Sequence, residues 1–580
     1  MDMKKYILLF VASLMMVSCV DTVILPEDKT VDEDFWKSKS DVELMVNGAY
    51  HSMLSADIIK RLIVWGDLRS DELLPVSSVN SSYQGVLDDL IEINTANTQY
   101  DNQFATWGAF YSVINNCNLV LDRAAEVMQE DPSYTEGDYQ AHRSQMLALR
   151  SLCYFYLVRN FRDVPYVTQA FMNSSQNYDV PQMNPEYVLL QCIKDLEEAE
   201  RNAISPLAYT NWMRVGYLNR DGIDALMADI YLWLASVKND NAYYKKSVEY
   251  CDKVIQSKQA QYRATDAGAG LADDAFPLIE GRMMFNRLFV QQNGSESIFE
   301  LQFDGRNNSN TGVCEMFNKY YSSAAGPYLV APKIFLKGAA AVWQVTGVSN
   351  YDEYRAQLYT YAADGDNVLV RKMVDNMSSF PSNAAAPQDK ATTRAYDRYD
   401  QNYIIYRLTD VMLMKAEALT QIYRTDSVLK DLQDAFEIVK AINVRDRDDA
   451  SLVIKWNTFS NPDAMEKLVL DERLRELAFE GKRWYDLMRY NYRQLEADQV
   501  VRYDLTLAEQ ESQGMAFAKT TNSMLDLVKR KLGDEGDAVA AKLRSEAHLY
   551  LPVSKTDIEV SRALRQNPVY SMDKEYEKNY

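Results

Sequence analysis

Six cysteines and three histidines are all the thiol and imidazole chemistry in this sequence, against 83 Asp and Glu. Metal sites built on thiolate or imidazole need those residues at short, repeated spacings. Here Cys117, Cys153, Cys192, Cys251 and Cys314 stand far apart with no C-x-x-C pair, and His51, His142 and His548 are scattered singly. Neither a metal, a cofactor nor a disulfide framework is signalled. Cys117, Cys153, Cys192 and Cys251 each fall within an apolar helical pattern, where a free thiol acts as a small core side chain. The carboxylates are numerous enough for a glycoside hydrolase, which needs two of them at a set separation across a cleft. No pair is singled out, so the chain reads as a non-enzyme, with a surface glycoside hydrolase as one alternative.

The sixth cysteine has its own context. Lys4 and Lys5 precede an apolar run, Tyr6 to Met16, that is too short to span a bilayer, and Val17-Ser18-Cys19 then reads as a lipoprotein cleavage box. Residues 1–18 are expected to be a signal peptide, Cys19 the lipidated residue, and 19–30 a tether to a single body over 31–580. More than one acyl chain on that cysteine gives stable anchoring. The plainer alternative is a secretory signal with a chance cysteine. No later run is long enough for a transmembrane helix. A net charge of −21 with no long basic run argues against a nucleic-acid partner.

Most of the body reads as helix. In Trp107, Phe110, Tyr111, Ile114, Cys117, Leu121, Ala124 and Met128, apolar residues step by three or four, the stripe of a helix with one buried face. Similar patterns predict helices over 41–54, 142–159, 185–199, 221–236, 242–257, 404–423, 427–445 and 463–489. Asn184-Pro185 and Asn461-Pro462 place a capping side chain before a proline whose missing N–H costs nothing in a first turn. The helical hairpins occupy about 41–257 and 404–489 and suggest tetratricopeptide-like pairs without the strict repeat of roughly 34 residues. An irregular helical bundle is the alternative. Between them, about 258–402 is rich in Gly, Ala, Asn, Ser and Pro, and only Ile298 to Phe303 alternates as a half-buried strand should. A loop-rich insertion on a rigid scaffold is where binding residues concentrate.

The run Glu472-Arg473-Leu474-Arg475-Glu476-Leu477-Ala478-Phe479-Glu480-Gly481-Lys482-Arg483-Trp484-Tyr485-Asp486-Leu487 has the densest pattern of charge and aromaticity. Arg473 with Glu476 and Glu480 with Arg483 are spaced as i,i+3 pairs. Gly481 in such a run costs about 1 kcal/mol relative to Ala, which implies a close contact or a helix junction. This run resembles the C-terminal signature of the SusD/RagB family of outer-membrane nutrient-binding lipoproteins. Tyr406 to Ala418, Asn443-Val444-Arg445, Tyr154 to Val158 with Asp163-Val164-Pro165, Ser297 to Glu300, and Gln566-Asn567-Pro568 with Tyr570 are similar to further family segments, in the family's order. Arg162 stands where members often have glycine, and Ser554 and Val569 replace a proline and a glycine.

The resemblance implies a mainly α fold of tetratricopeptide-like hairpins with a large loop-rich insertion and a few short strands. It implies binding of an oligosaccharide or polysaccharide at the cell surface and delivery to a partner SusC-like TonB-dependent outer-membrane transporter. A peptide ligand, as for a RagB-like protein, is the alternative within the family, and a helical-repeat adaptor for periplasmic proteins is one outside it. Sugars offer C–H faces to flat rings and hydroxyls to amides, and the chain holds 39 Tyr and 8 Trp. Aromatics outside the apolar stripes are the candidate ligand contacts: Tyr83, Phe317, Tyr320, Tyr321 and Tyr328, with Asn307 and Asn308 as polar partners.

Overall fold

The computed structural model describes residues 35–570 apart from 173–174, 266–267, 269, 319–325, 336–353, 363–367, 377–393, 396–397 and 448–452. Its principal helices are α1 (Lys39–Ser52), α2 (Ala56–Ile63), α3 (Gln84–Asn94), α4 (Gly108–Glu130), α5 (Glu136–Phe161), α6 (Pro185–Arg201), α7 (Arg220–Lys238), α8 (Asn241–Arg263), α9 (Leu408–Asp426), α10 (Leu429–Arg445), α11 (Pro462–Leu477) and α12 (Arg483–Arg493). The stripe of α4 is buried as its spacing predicts, through Phe110, Val113, Ile114, Cys117, Val120, Ala124 and Val127. Both predicted caps form: the Asn184 side chain accepts from Tyr187 N at 2.8 Å and that of Asn461 from Ala464 N at 2.9 Å.

Helices consecutive in sequence pack side by side, α4 on α5, α5 on α6, α6 on α7, α7 on α8 and α9 on α10, and α8 on α9 joins the two helical blocks. The C-terminal half of α5 and nearly all of α7 are buried on every face. A helix with no solvent side must lie at the centre of the layers. Cys117, Cys153, Cys192, Cys251 and Cys314 are all buried free thiols.

Three expectations need correction. The helix expected over 404–423 begins only at Leu408, because Tyr403–Arg407 is a strand, β8, paired antiparallel with Ser297–Leu301, β4. Its β-branched and aromatic run suits a strand covered on both faces, and β4 is likewise buried at all five positions rather than half-buried. The run expected over 463–489 breaks between α11 and α12, where Phe479 and Gly481 adopt φ of 66° and 72°. The remaining short strands pair antiparallel: β1 (Leu74–Pro75) with β5 (Leu329–Val330), β2 (Val164–Pro165) with β3 (Gln182–Met183), and β6 (Thr360–Ala362) with β7 (Val368–Val370).

Arg162 lies at φ 65°, ψ −74°, and the Asp163 N–H donates to Phe161 O across it at 2.9 Å. That is a γ-turn, a strained geometry that glycine enters most easily. Here the arginine is held by what its buried guanidinium reaches: Asp163, Leu505 O, Arg502 O and Glu546.

Candidate functional site

The charged signature run folds inward. Arg407, at the end of β8, donates to both Glu480 oxygens at 2.8 and 2.9 Å and to Glu476 at 2.6 Å. The other Glu476 oxygen receives Arg355 at 2.8 Å and Arg445 at 2.6 Å. Burial disfavours the charge on Glu476, but the Arg445, Arg407 and Arg355 guanidiniums outweigh it and hold this carboxyl well below the usual range. Arg473 pairs with Asp410 and Asp486, Arg483 with Asp71, and Lys372 with Glu480. The i,i+3 pairs suggested by spacing are therefore not the ones formed. Arg475 does pair with Glu472 three residues back, but Glu472, Arg473, Glu476, Glu480, Lys482 and Arg483 reach partners elsewhere in the chain, because a desolvated ion needs compensation that a single helix face cannot give.

The break at 478–482 is held by the segment following α2. Asp67 accepts the N–H groups of Gly481 at 2.8 Å and Lys482 at 3.1 Å, and Glu72 accepts that of Phe479 at 3.0 Å. Burial raises both carboxyls, Asp67 to about 7, and the neighbouring Asp67 charge raises Glu72 further. Gly481 is required twice over, by its positive φ and because a Cβ there would run into the Tyr403 hydroxyl and the Leu62 carbonyl, while Gly66 is required because a Cβ on it would run into the Gly481 backbone. These side chains are engaged with one another, so the hub positions helices and strands rather than meeting a ligand.

The loop candidates divide into two groups. Tyr83 closes a short 3-10 turn, Ser81–Tyr83, and is half-buried against the core. The pairing of β1 with β5, with Val76 N donating to Tyr328 O at 3.0 Å, brings this loop to the Tyr328 segment. Burial pushes the Tyr328 phenol up to about 12, with Glu315 and Tyr83 adding to the effect. Tyr328 and Phe317 are buried, 3% and 1% exposed. This corrects their expected role: both rings close the core under the loop, because the apolar neighbours gathered by β5 and the helix Thr311–Phe317 cover them.

Asn307 and Asn308 lie in a turn organised by Asp304. Its carboxylate accepts the N–H groups of Arg306, Asn307 and Asn308 and the Asn307 amide, and these bonds lower it to about 2. Asn308 is consumed locally, its oxygen accepting from Asp304 N and its amide donating to Gln302 O. Asn307 stays exposed. Tyr320, Tyr321 and Cys19 lie outside the described residues. The largest exposed ring among the described residues is one the sequence reading passed over, Trp212 at 43%. Its signal was a Trp in a polar stretch between two helical patterns, outside the insertion taken as the place to look.

Paired helices around a buried ionic hub, with irregular loops between the two helical blocks, define a class, and comparison with known proteins places the chain in it. Residues 343–570 match the family model described as the SusD family, and residues 34–232 match one described as starch-binding associating with outer membrane. Two SusD-like proteins of Formosa agariphila are 26% identical over 80% of this chain and 86% of theirs, and 25% identical over 84% and 91%. A solved SusD homolog from Bacteroides thetaiotaomicron superposes with a TM-score of 0.67 at 15% identity, covering 93% of this chain and 98% of its own. A SusD superfamily protein from Parabacteroides distasonis does so at 0.63 and 20%, covering 92% and 99%. The chain is a SusD-like protein with the mainly α SusD-like fold. Among the described residues no helix is long and apolar enough to cross a membrane.

Proposed function

We propose that this protein captures a glycan at the outer face of the outer membrane, held there by lipid on Cys19, and hands it to a SusC-like TonB-dependent transporter without breaking a bond. The observation that carries the reading is the pairing, on one chain, of a SusD family match with a match described as starch-binding associating with outer membrane. Tyr83 and Asn307 offer a ring and a solvent-facing amide, the two functions that sugar recognition needs. Tyr320 and Tyr321 belong to the same proposal.

The test is affinity electrophoresis of the unlipidated protein through gels containing plant, host and microbial polysaccharides, with thin-layer chromatography of the supernatants. Retardation without new products is the expected result. Products would contradict the reading and favour the hydrolase, and neither binding nor products would favour a peptide ligand. Mass spectrometry of the mature N-terminus tests the anchor, and co-purification with a barrel from detergent extracts tests the partner.

A further inference from the structure

We propose that the connection between α6 and α7 carries a second ligand-contacting element, a stacking platform of Trp212, Tyr209 and Tyr217 for the uncharged pyranose rings of a glycan. This rests on the glycan-binding reading above and adds a place and a mode of contact to it.

The first observation is exposure combined with fixation. Trp212 is 43% exposed, yet its ring is held against Gly216, where an added Cβ would lie 2.8 Å from the indole and 2.9 Å from the Gln302 side chain. Only glycine lets the indole lie that close to the backbone. Tyr217 meets Trp212 at 5.6 Å between centroids and Tyr209 at 5.8 Å, both tilted, and packs edge-on against Tyr50 of α1 at 5.0 Å. The Tyr217 hydroxyl donates to Asn47 at 2.8 Å. An aromatic ring left in water normally has no reason to be clamped; one that receives a flat ligand face does, because pre-ordering removes the entropy cost at binding. Asn211, just before the Trp, sits at φ 54°, a backbone cost of the kind that collects at ligand clamps.

The second observation is the rim. Among the described residues the indole N–H of Trp212 makes no hydrogen bond, and Asn47, Thr210 and Arg214 are exposed beside the rings. A pyranose is amphipathic in the matching sense, with an apolar face and hydroxyls at its edge. The platform also adjoins the amide turn, since Gln302, which packs on Gly216, gives its carbonyl to Asn308.

The experiment uses the full chain without its lipid and compares wild type, Trp212→Ala and Trp212→Phe in gels containing soluble starch, xylan, galactomannan or laminarin, with melting curves as controls. The expected result is unchanged melting, with affinity for the polysaccharide that retards wild type lowered roughly tenfold by Trp212→Ala and partly restored by Trp212→Phe. Wild-type retardation in Trp212→Ala would overturn the platform while leaving the glycan reading intact. Loss of barrel co-purification with glycan binding intact would overturn it by making the patch a protein contact. Absence of retardation of wild type in every gel would overturn both.

Discussion

Around Glu476 and Glu480, carboxylates are closed off from water and answered by Arg355, Arg407, Arg445 and Lys372, whereas in the 304–308 turn an exposed carboxylate, Asp304, organises a loop whose Asn307 still faces solvent. The same chemical group serves two ends. In the hub, desolvation makes each charge depend on its partners, so substitutions there act on folding. In the turn, water screens the charge, so substitutions leave stability alone and act only on what the loop presents.

The comparison is broken most severely by Glu476→Gln. Three guanidiniums lose a buried counter-charge, and the expected cost is about 3–5 kcal/mol in denaturant unfolding, with glycan binding of the remaining folded protein unchanged. A cost near that of a surface change would mean the hub is hydrated in solution. Arg162→Gly comes next. It relaxes the γ-turn but strands Asp163 and Glu546 in the core, so a net loss of about 2–4 kcal/mol is expected. Stabilisation would show that backbone strain outweighs the ion pairs.

Acid sharpens the contrast. The Arg and Lys partners outweigh burial and hold Asp410 at about 2 and Glu476 and Glu480 below the ordinary range. Groups with folded values below their unfolded ones stabilise the fold above the unfolded value and lose that contribution as pH falls through the folded value. Melting temperature should therefore drop steeply from about pH 4 toward pH 2, and less steeply in Glu476→Gln. A wild-type curve that is flat in that range would contradict the assignment. The smallest expected effect is that of Asn307→Ala, within about 0.5 kcal/mol of wild-type stability with weakened glycan retardation.

The helices were legible because burial of one face writes a period into the sequence, and the caps at Asn184 and Asn461 were legible because they are local. β8 was misread because its apolar run is short and continues directly into α9, so period alone cannot separate strand from helix. The hub's charges were visible, but their partners were not: Asp67, Asp71 and Glu72 lie some 400 residues upstream in sequence, and no spacing rule connects them to Gly481 and Arg483. Loop rings were harder still. Phe317 and Trp212 both stand outside the long apolar stripes, yet one is buried and the other exposed, a difference settled by the elements that fold over each.

The most direct measurement pairs melting temperature with polysaccharide affinity for two variants, Glu480→Gln in the hub and Trp212→Ala on the exposed platform. The division of labour predicts that Glu480→Gln lowers the melting temperature while its folded fraction binds like wild type, and that Trp212→Ala melts like wild type but binds more weakly. Weakened binding by folded Glu480→Gln, with Trp212→Ala unaffected in both, would contradict it.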